Sequence, residues 1–136
     1  MSPRPAIIIV GAGIVGASIA FHLARAGAPV TLIARPGSGA ATAGSFGWIN
    51  ASYGNPAHYF PLRHRAMAQW HRLSETVPDL PWRMTGGLCF DDTDDALRAF
   101  ARQHAEWGYG IREVGRDEIA RIEPALARPP AIAMHV

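Results

Sequence analysis

The sequence predicts an α/β fold that opens on one parallel βαβ unit, an incomplete doubly wound sheet, and continues into the start of a mixed α+β region. Three observations carry this. A β-branched run, Ala6 to Val10, leads directly into Gly11-Ala12-Gly13-Ile14-Val15-Gly16 and then into a helical pattern. A second such run, Ala28 to Ile33, follows after the length of one helix. No later strand–helix–strand unit is legible, so the 136 residues hold too few parallel strands for a complete doubly wound sheet.

The first turn has the chemistry of a dinucleotide-binding, Rossmann-like loop. Gly11 permits the tight turn, Gly13 removes a side chain where a phosphate must approach the main chain, and Gly16 lets the helix lie close to the strand. The N-terminal amides of that helix then face an anion. Ala12, Ile14 and Val15 complete the loop and the first helical turn. Ala17, Ala20 and Leu23 continue an apolar face, and Gly27 is placed to stop the helix. The second strand ends at Ala34-Arg35, where a nucleotide ribose is expected.

Residues 35–47 are too rich in Gly, Ala, Ser and Thr to form a packed element alone, and read as a loop that lies against something. Ser38, Thr42, Ala43 and Ser45 are its candidate cofactor contacts, since hydroxyls and bare backbone can come close to a ligand. Phe46-Gly47-Trp48-Ile49-Asn50 argues against a free linker, because such residues are wasted in solvent. Trp48 and Asn50 read either as neighbours of a cofactor ring or, for Trp48, as core.

Beyond Pro56, Tyr59, Leu62, Ala66, Trp70, Leu73 and Val77 recur at helical spacing, with the regular helix expected to begin near Pro61. Arg63, Arg65 and Arg72 fall off that stripe and are expected in solvent. Pro78 and Pro81 close the helix. Residues 86–90 read as a strand. Thr93 with Asp94 and Asp95 then launches a helix carrying Leu97, Phe100, Ala101 and His104 on one side, ended by Gly108. A short strand over 109–114 and a short helix over 117–122 follow, and the tail through Pro129-Pro130 ends without a capping element.

Charge is lopsided. Residues 1–74 carry six arginines and no acid, whereas residues 75–136 carry seven arginines against eleven acids, for an overall +2. A basic first half suits an anionic cofactor. Scattered arginines without lysine or a groove-reading motif do not make a nucleic-acid surface. Cys89 is the one cysteine, so no disulfide framework is expected and a reducing, cytoplasmic setting is the default. Arg4, the uncharged run from Pro5 to Ala24 and small residues 26–28 imitate a secretory signal, but three glycines at phosphate-loop spacing favour a soluble turn over a signal or membrane span. His64 and His71 do not supply three metal ligands, and Asp91, Asp92, Asp94 and Asp95 lack the spacing and glycine of a calcium loop. No metal site is expected.

Taken together, Ile9 to Ser18, the loop leading to Ser45-Phe46-Gly47-Trp48-Ile49-Asn50-Ala51, the Gly86-Gly87-Leu88 strand and Arg121-Ile122-Glu123-Pro124-Ala125-Leu126 resemble the D-amino-acid oxidase-like group of FAD-dependent oxidoreductases, which includes glycine and sarcosine oxidases and D-amino-acid dehydrogenases. The resemblance spans essentially the whole chain and corresponds to the N-terminal portion of that group. It implies FAD as cofactor, oxidation of a carbon–nitrogen bond of an amino acid or secondary amine by hydride transfer to the flavin, an FAD-binding portion over residues 1–85, and the beginning of a substrate domain over residues 86–136. The family's substrate-gripping residues lie mainly beyond this portion, so no catalytic residue is assigned. A completing chain or a homo-oligomer is an expected partner, with an inactive fragment or a subunit completed by another polypeptide as the contrary reading.

One position departs from the pattern. Such folds place Asp or Glu at the end of the second strand to accept hydrogen bonds from the ribose. Here Ala34 stands there, and no acid precedes Glu75. Losing a hydrogen bond to a charged group costs about 1.5–3 kcal/mol, roughly ten- to hundredfold in affinity. FAD binding is then weakened rather than abolished. Arg35 keeps an NADP-dependent reductase open as an alternative, because an arginine beside the ribose can accept a 2′-phosphate.

Overall fold

A computed structural model describes residues 5–37, 40–52 and 56–136. The chain forms two compact units, Met1–Trp48 and Ile49–Val136.

The first unit contains β1 (Ile7–Val10), α1 (Ile14–Arg25), β2 (Val30–Ile33) and a one-turn helix α2 (Ala40–Ala43). β1 and β2 pair in parallel from Ile7↔Val30 to Val10↔Ile33. Because side chains alternate across a strand, Ile7 and Ile9 fall on one face and Ile8 and Val10 on the other. Ile7 and Ile9 are half-buried; Ile8 is 65% and Val10 82% exposed. Helix α1 covers only the first face, with Ala20 and Leu23 half-buried as the sequence pattern implies and Ala17 exposed. It ends where Gly27 was expected to stop it: the Gly27 amide donates to the Ala24 carbonyl and the Ala28 amide to the Leu23 carbonyl, at 2.9 and 3.0 Å. These two bonds satisfy carbonyls that a helix end would otherwise orphan. The short helix α2 corrects the expectation of an irregular loop over this stretch, since alanine has the highest helix propensity of any residue.

The second unit contains α3 (Phe60–Thr76), β3 (Leu88–Cys89), α4 (Asp94–Glu106), β4 (Arg112–Gly115), α5 (Arg116–Ile122) and β5 (Ile132–His135). β5 was not anticipated. It is the middle strand of the antiparallel order β3-β5-β4, pairing Cys89↔Met134 on one side and Val114↔Ala133 on the other. A strand paired along both edges can be short and still hold, because every main-chain group finds a partner. Both of its faces are dry: Met134 packs with Leu97 of α4 and Cys89, while Ala133 packs with Ile119 of α5 and Val114. Ala133, Met134 and Ile119 are 0% exposed. Burial pushes the Cys89 thiol above its ordinary pKa, with Asp91 adding to the effect, so the thiolate is disfavoured.

Helix α4 begins as the sequence implies, its Thr93 Oγ1 accepting from the Ala96 amide at 3.3 Å. Its exit at Gly108 repeats the bond pattern of α1, with Gly108 donating to Ala105 and Tyr109 to His104. Two ion pairs tie helices to β4. Arg98 of α4 meets Glu113 at 2.9 Å, and Arg112 of β4 meets Glu118 of α5 at 2.7 Å. The arginine hydrogen bonds hold both glutamate carboxyls below their ordinary pKa.

A third cluster joins α3 to the residues after α4. Phe60 packs with Ala51 and Tyr109, against Met67, Trp107 and Ile111. The inward stripe of α3 is therefore Phe60, Met67, Trp70, Leu73 and Val77, with Tyr59, Leu62 and Ala66 exposed. The expected stripe is corrected by about one residue at its start. Pro61 sits in the first turn, which turns Phe60 inward. This packing also places α3 with the second unit, so the compact units divide at Trp48/Ile49, whereas the sequence put a division at 85/86.

Candidate functional site

The end of β1, the glycine loop and the start of α1 form a single piece of main-chain architecture. Gly11 adopts φ 104°, a conformation that L side chains rarely take, and its amide donates to the Ile33 carbonyl at 2.7 Å. That bond ties the loop to the end of β2. A Cβ at Gly16 would collide with the Gly11 carbonyl oxygen, so the third glycine is demanded by close approach inside the protein. Gly13 differs: a Cβ there would meet nothing within 4 Å. The protein itself leaves that position open.

Gly13 caps α1 with an extended backbone, φ −70° and ψ 176°, and contributes no side chain to the helix end. No acidic residue occupies the first turn. The helix therefore presents its leading amides with neither a side-chain acceptor nor a neighbouring carboxylate, and the aligned peptide dipoles add partial positive charge there. Ile14 and Val15 carry this turn, with their side chains 55% and 69% exposed.

An open cleft of about 500 Å³ lies beside this loop, bounded by Val10 and Gly11 at the end of β1 and by Ile33–Gly37 at the end of β2. Its volume falls within the usual range for small-molecule sites. Ala34 and Arg35, singled out from sequence, both line it, and among the described residues Arg35 is the charged side chain of its wall. Val10, Ile33, Pro36 and Gly37 were not singled out. Their signal is positional, since crevices of open α/β sheets form at the carboxyl ends of parallel strands.

The remaining candidates lie elsewhere. Ser38 falls outside the described residues. Thr42 and Ala43 belong to α2, and the Ser45 hydroxyl donates to the Thr42 carbonyl at 3.2 Å, closing that helix turn. Thr42, Ala43 and Ser45 are exposed and are not part of the cleft wall. Among the described residues no group of three metal-ligating side chains occurs, and no helix is long and apolar enough to cross a membrane.

In the second unit, Arg63 is half-buried rather than solvated. Its guanidinium donates to the Asn50 Oδ1 at 2.7 Å and to the Ser52 carbonyl at 3.0 Å, while the Tyr109 hydroxyl accepts from the Ala51 amide at 3.4 Å. Residues 50–52, at the end of the Ser45–Ala51 motif, are thus pinned to the aromatic cluster. No helical periodicity could reveal this, because the arginine is spent on one side-chain amide oxygen and one main-chain carbonyl rather than on apolar packing. Histidine 104 is buried in the same region, with its Nδ1 2.9 Å from the Phe100 carbonyl.

Comparison with known proteins agrees with this geometry. The family model described as FAD dependent oxidoreductase matches residues 6–136. A glycine oxidase from Bacillus licheniformis is 28% identical over 137 residues, covering 91% of this chain and 35% of that protein. A D-amino acid dehydrogenase from Methylobacterium radiotolerans is 34% identical over 79 residues, covering 49% of this chain and 19% of that protein. The structure of glycine oxidase from Bacillus cereus superposes with a TM-score of 0.80 at 19% identity, over 98% of this chain and 38% of that one. That likeness is one of fold. The chain thus spans about a third of the length of the glycine oxidases it matches.

Proposed function

The chain belongs to the FAD-dependent oxidoreductase family, and from that premise we propose that it is the FAD-holding part of an enzyme that oxidises the carbon–nitrogen bond of an amino acid or secondary amine. The observation that carries the proposal is the loop at Gly11–Gly16: an uncapped helix end, an open position at Gly13, and a cleft beside it at the strand ends. These features fit a dinucleotide. Bare amides at the start of α1 hold the diphosphate, Gly11 and Gly16 keep strand and helix close enough to aim them, and the Val10–Ile33 walls receive the adenosine. Thr42, Ala43 and Ser45, outside the cleft wall, are the candidate contacts for the remainder of the cofactor.

When bound, FAD supplies the acceptor for a hydride from the carbon beside the nitrogen, and the electrons pass on to oxygen or a respiratory acceptor. This chain's contribution is binding and orientation. Residues 1–85 form the FAD-holding portion and residues 86–136 begin the substrate domain. The similarity to a glycine oxidase and a D-amino acid dehydrogenase supports amino acids as the substrate class. A cytoplasmic setting is the reading that a single cysteine, and so no disulfide framework, supports.

The test is direct. The purified chain is titrated with FAD and followed by flavin absorbance and fluorescence, then assayed with glycine, sarcosine and D-alanine for peroxide or dye reduction. Saturable uptake supports the cofactor reading; no uptake sinks it. A second reading is favoured by the exposure of Ile8, Val10 and Ile33, which is 52% or more for each, on the strand face that α1 leaves uncovered. In that reading the chain holds FAD but turns over only when further polypeptide covers this face. Uptake of flavin without turnover separates the two.

A further inference from the structure

The ribose end of the cleft lacks the group that ordinarily reads a plain ribose and has the one that reads a phosphorylated ribose. A carboxylate at the end of the second strand accepts hydrogen bonds from ribose hydroxyls, while an arginine nearby accommodates a 2′-phosphate. Here that strand ends at Ile33, and the next residues in the cleft wall are Ala34 and Arg35. Ala34 can accept no side-chain hydrogen bond. Arg35 is exposed, forms part of the wall, and offers a planar guanidinium suited to paired hydrogen bonds with phosphate oxygens.

The surroundings point the same way. No aspartate or glutamate occurs before Glu75, so the whole first unit is without a carboxylate side chain that would repel a second phosphate. The diphosphate cradle is equally free of acid, with none in the first turn of α1. The Pro36-Gly37 turn, with Gly37 at φ 77°, follows at once, and both residues share the cleft with Arg35.

We propose that the adenosine end of this cleft prefers a 2′-phosphorylated ribose, so that NADP-type dinucleotides bind it in competition with FAD. Arg35 is the specificity-determining residue, and the missing acid at Ala34 is what allows the preference. The proposal rests on the cleft being the adenosine site of the cofactor, as argued above. It adds a class of competing ligand to that site, and a route by which the pool of phosphorylated nicotinamide dinucleotide controls FAD occupancy.

NAD⁺ and NADP⁺ differ only in the 2′-phosphate, which makes them the probes. The 136-residue chain is titrated calorimetrically with each, and with FAD in the absence and presence of NADP⁺. NADP⁺ is expected to bind about ten- to hundredfold more tightly than NAD⁺, the size of one or two charge-assisted hydrogen bonds, and to displace FAD. Arg35→Ala should equalise the two nicotinamide dinucleotides while leaving NAD⁺ affinity within about twofold. Ala34→Glu should reverse the preference and tighten FAD about tenfold or more. Both positions are exposed, and circular dichroism checks that each variant stays folded. Equal binding of NAD⁺ and NADP⁺ by the unaltered chain, or a preference that survives Arg35→Ala, overturns the inference even where FAD binds. An NADP⁺ preference without any FAD uptake overturns the competition with FAD and sinks the flavin reading. Failure of all three to bind overturns both.

Discussion

The two units solve the problem of order in different ways. Every buried side chain among the described residues lies in Ile49–Val136, where Leu97, Val114, Ile119 and Met134 are 2% exposed or less. The described residues of Met1–Trp48 bury none, yet they carry the more stringent backbone demands: Gly11 in a left-handed conformation and Gly16 within contact of the Gly11 carbonyl. The second unit is held by side-chain packing, and the first is shaped by main-chain geometry. This teaches where each is vulnerable. Side-chain truncation should wound the second unit, and the addition of a single methyl or isopropyl group should wound the first.

The largest expected effect tests the packed unit. Leu97→Ala or Met134→Ala removes a fully enclosed side chain and should cost about 2–5 kcal/mol in urea unfolding. FAD affinity, extrapolated to native conditions, should stay within a few-fold if the units are independent. A parallel loss of flavin binding would break the comparison. Next is Gly16→Val, which forces the Gly11 carbonyl to move. Overpacking of this kind costs about 1–3 kcal/mol, and FAD affinity should fall about ten- to hundredfold while the second unit's unfolding midpoint is unchanged. Retained affinity would show that the loop yields more easily than its geometry implies.

Arg63→Met sharpens the boundary between the units. It removes two donors from Asn50 and the Ser52 carbonyl and should destabilise the second unit by about 1–3 kcal/mol in urea unfolding. Arg63→Lys, which keeps the charge but loses the fork, should fall between the two.

The smallest effect is on pH. Glu113 and Glu118 have carboxyls lowered by Arg98 and Arg112, so the folded state binds fewer protons there than the unfolded state does. Their contribution is complete above the ordinary glutamate range and is lost as pH falls through and below it. Glu113→Gln should flatten the acid limb of the second unit's stability curve, measured by thermal unfolding between pH 3 and pH 6, roughly the window of carboxylate titration. The effect is modest because both pairs are partly exposed to solvent and salt.

Legibility in the sequence followed the same division. The strand–glycine–helix–strand unit, the stop at Gly27, the Thr93 cap and the stop at Gly108 all stand where local chemistry put them. Cleft residues Ala34 and Arg35 were legible because they directly follow the end of a strand. Three features were not: the central strand β5, the burial of Arg63, and the face that α3 turns inward. Each depends on a partner far along the chain. β5 is a four-residue stretch, Ile132–His135, that lies between β3 and β4, elements separated from it by more than fifteen residues.

What the sequence alone determined was the glycine loop and the element boundaries, because a positive φ, a missing Cβ or a capping hydroxyl acts within a few residues and excludes alternatives by sterics. What only the tertiary structure decided was pairing and burial. Which strand sits in the middle, and which polar side chain is drawn inside, follow from contacts that exist only once distant segments meet, and no local pattern encodes their free energy.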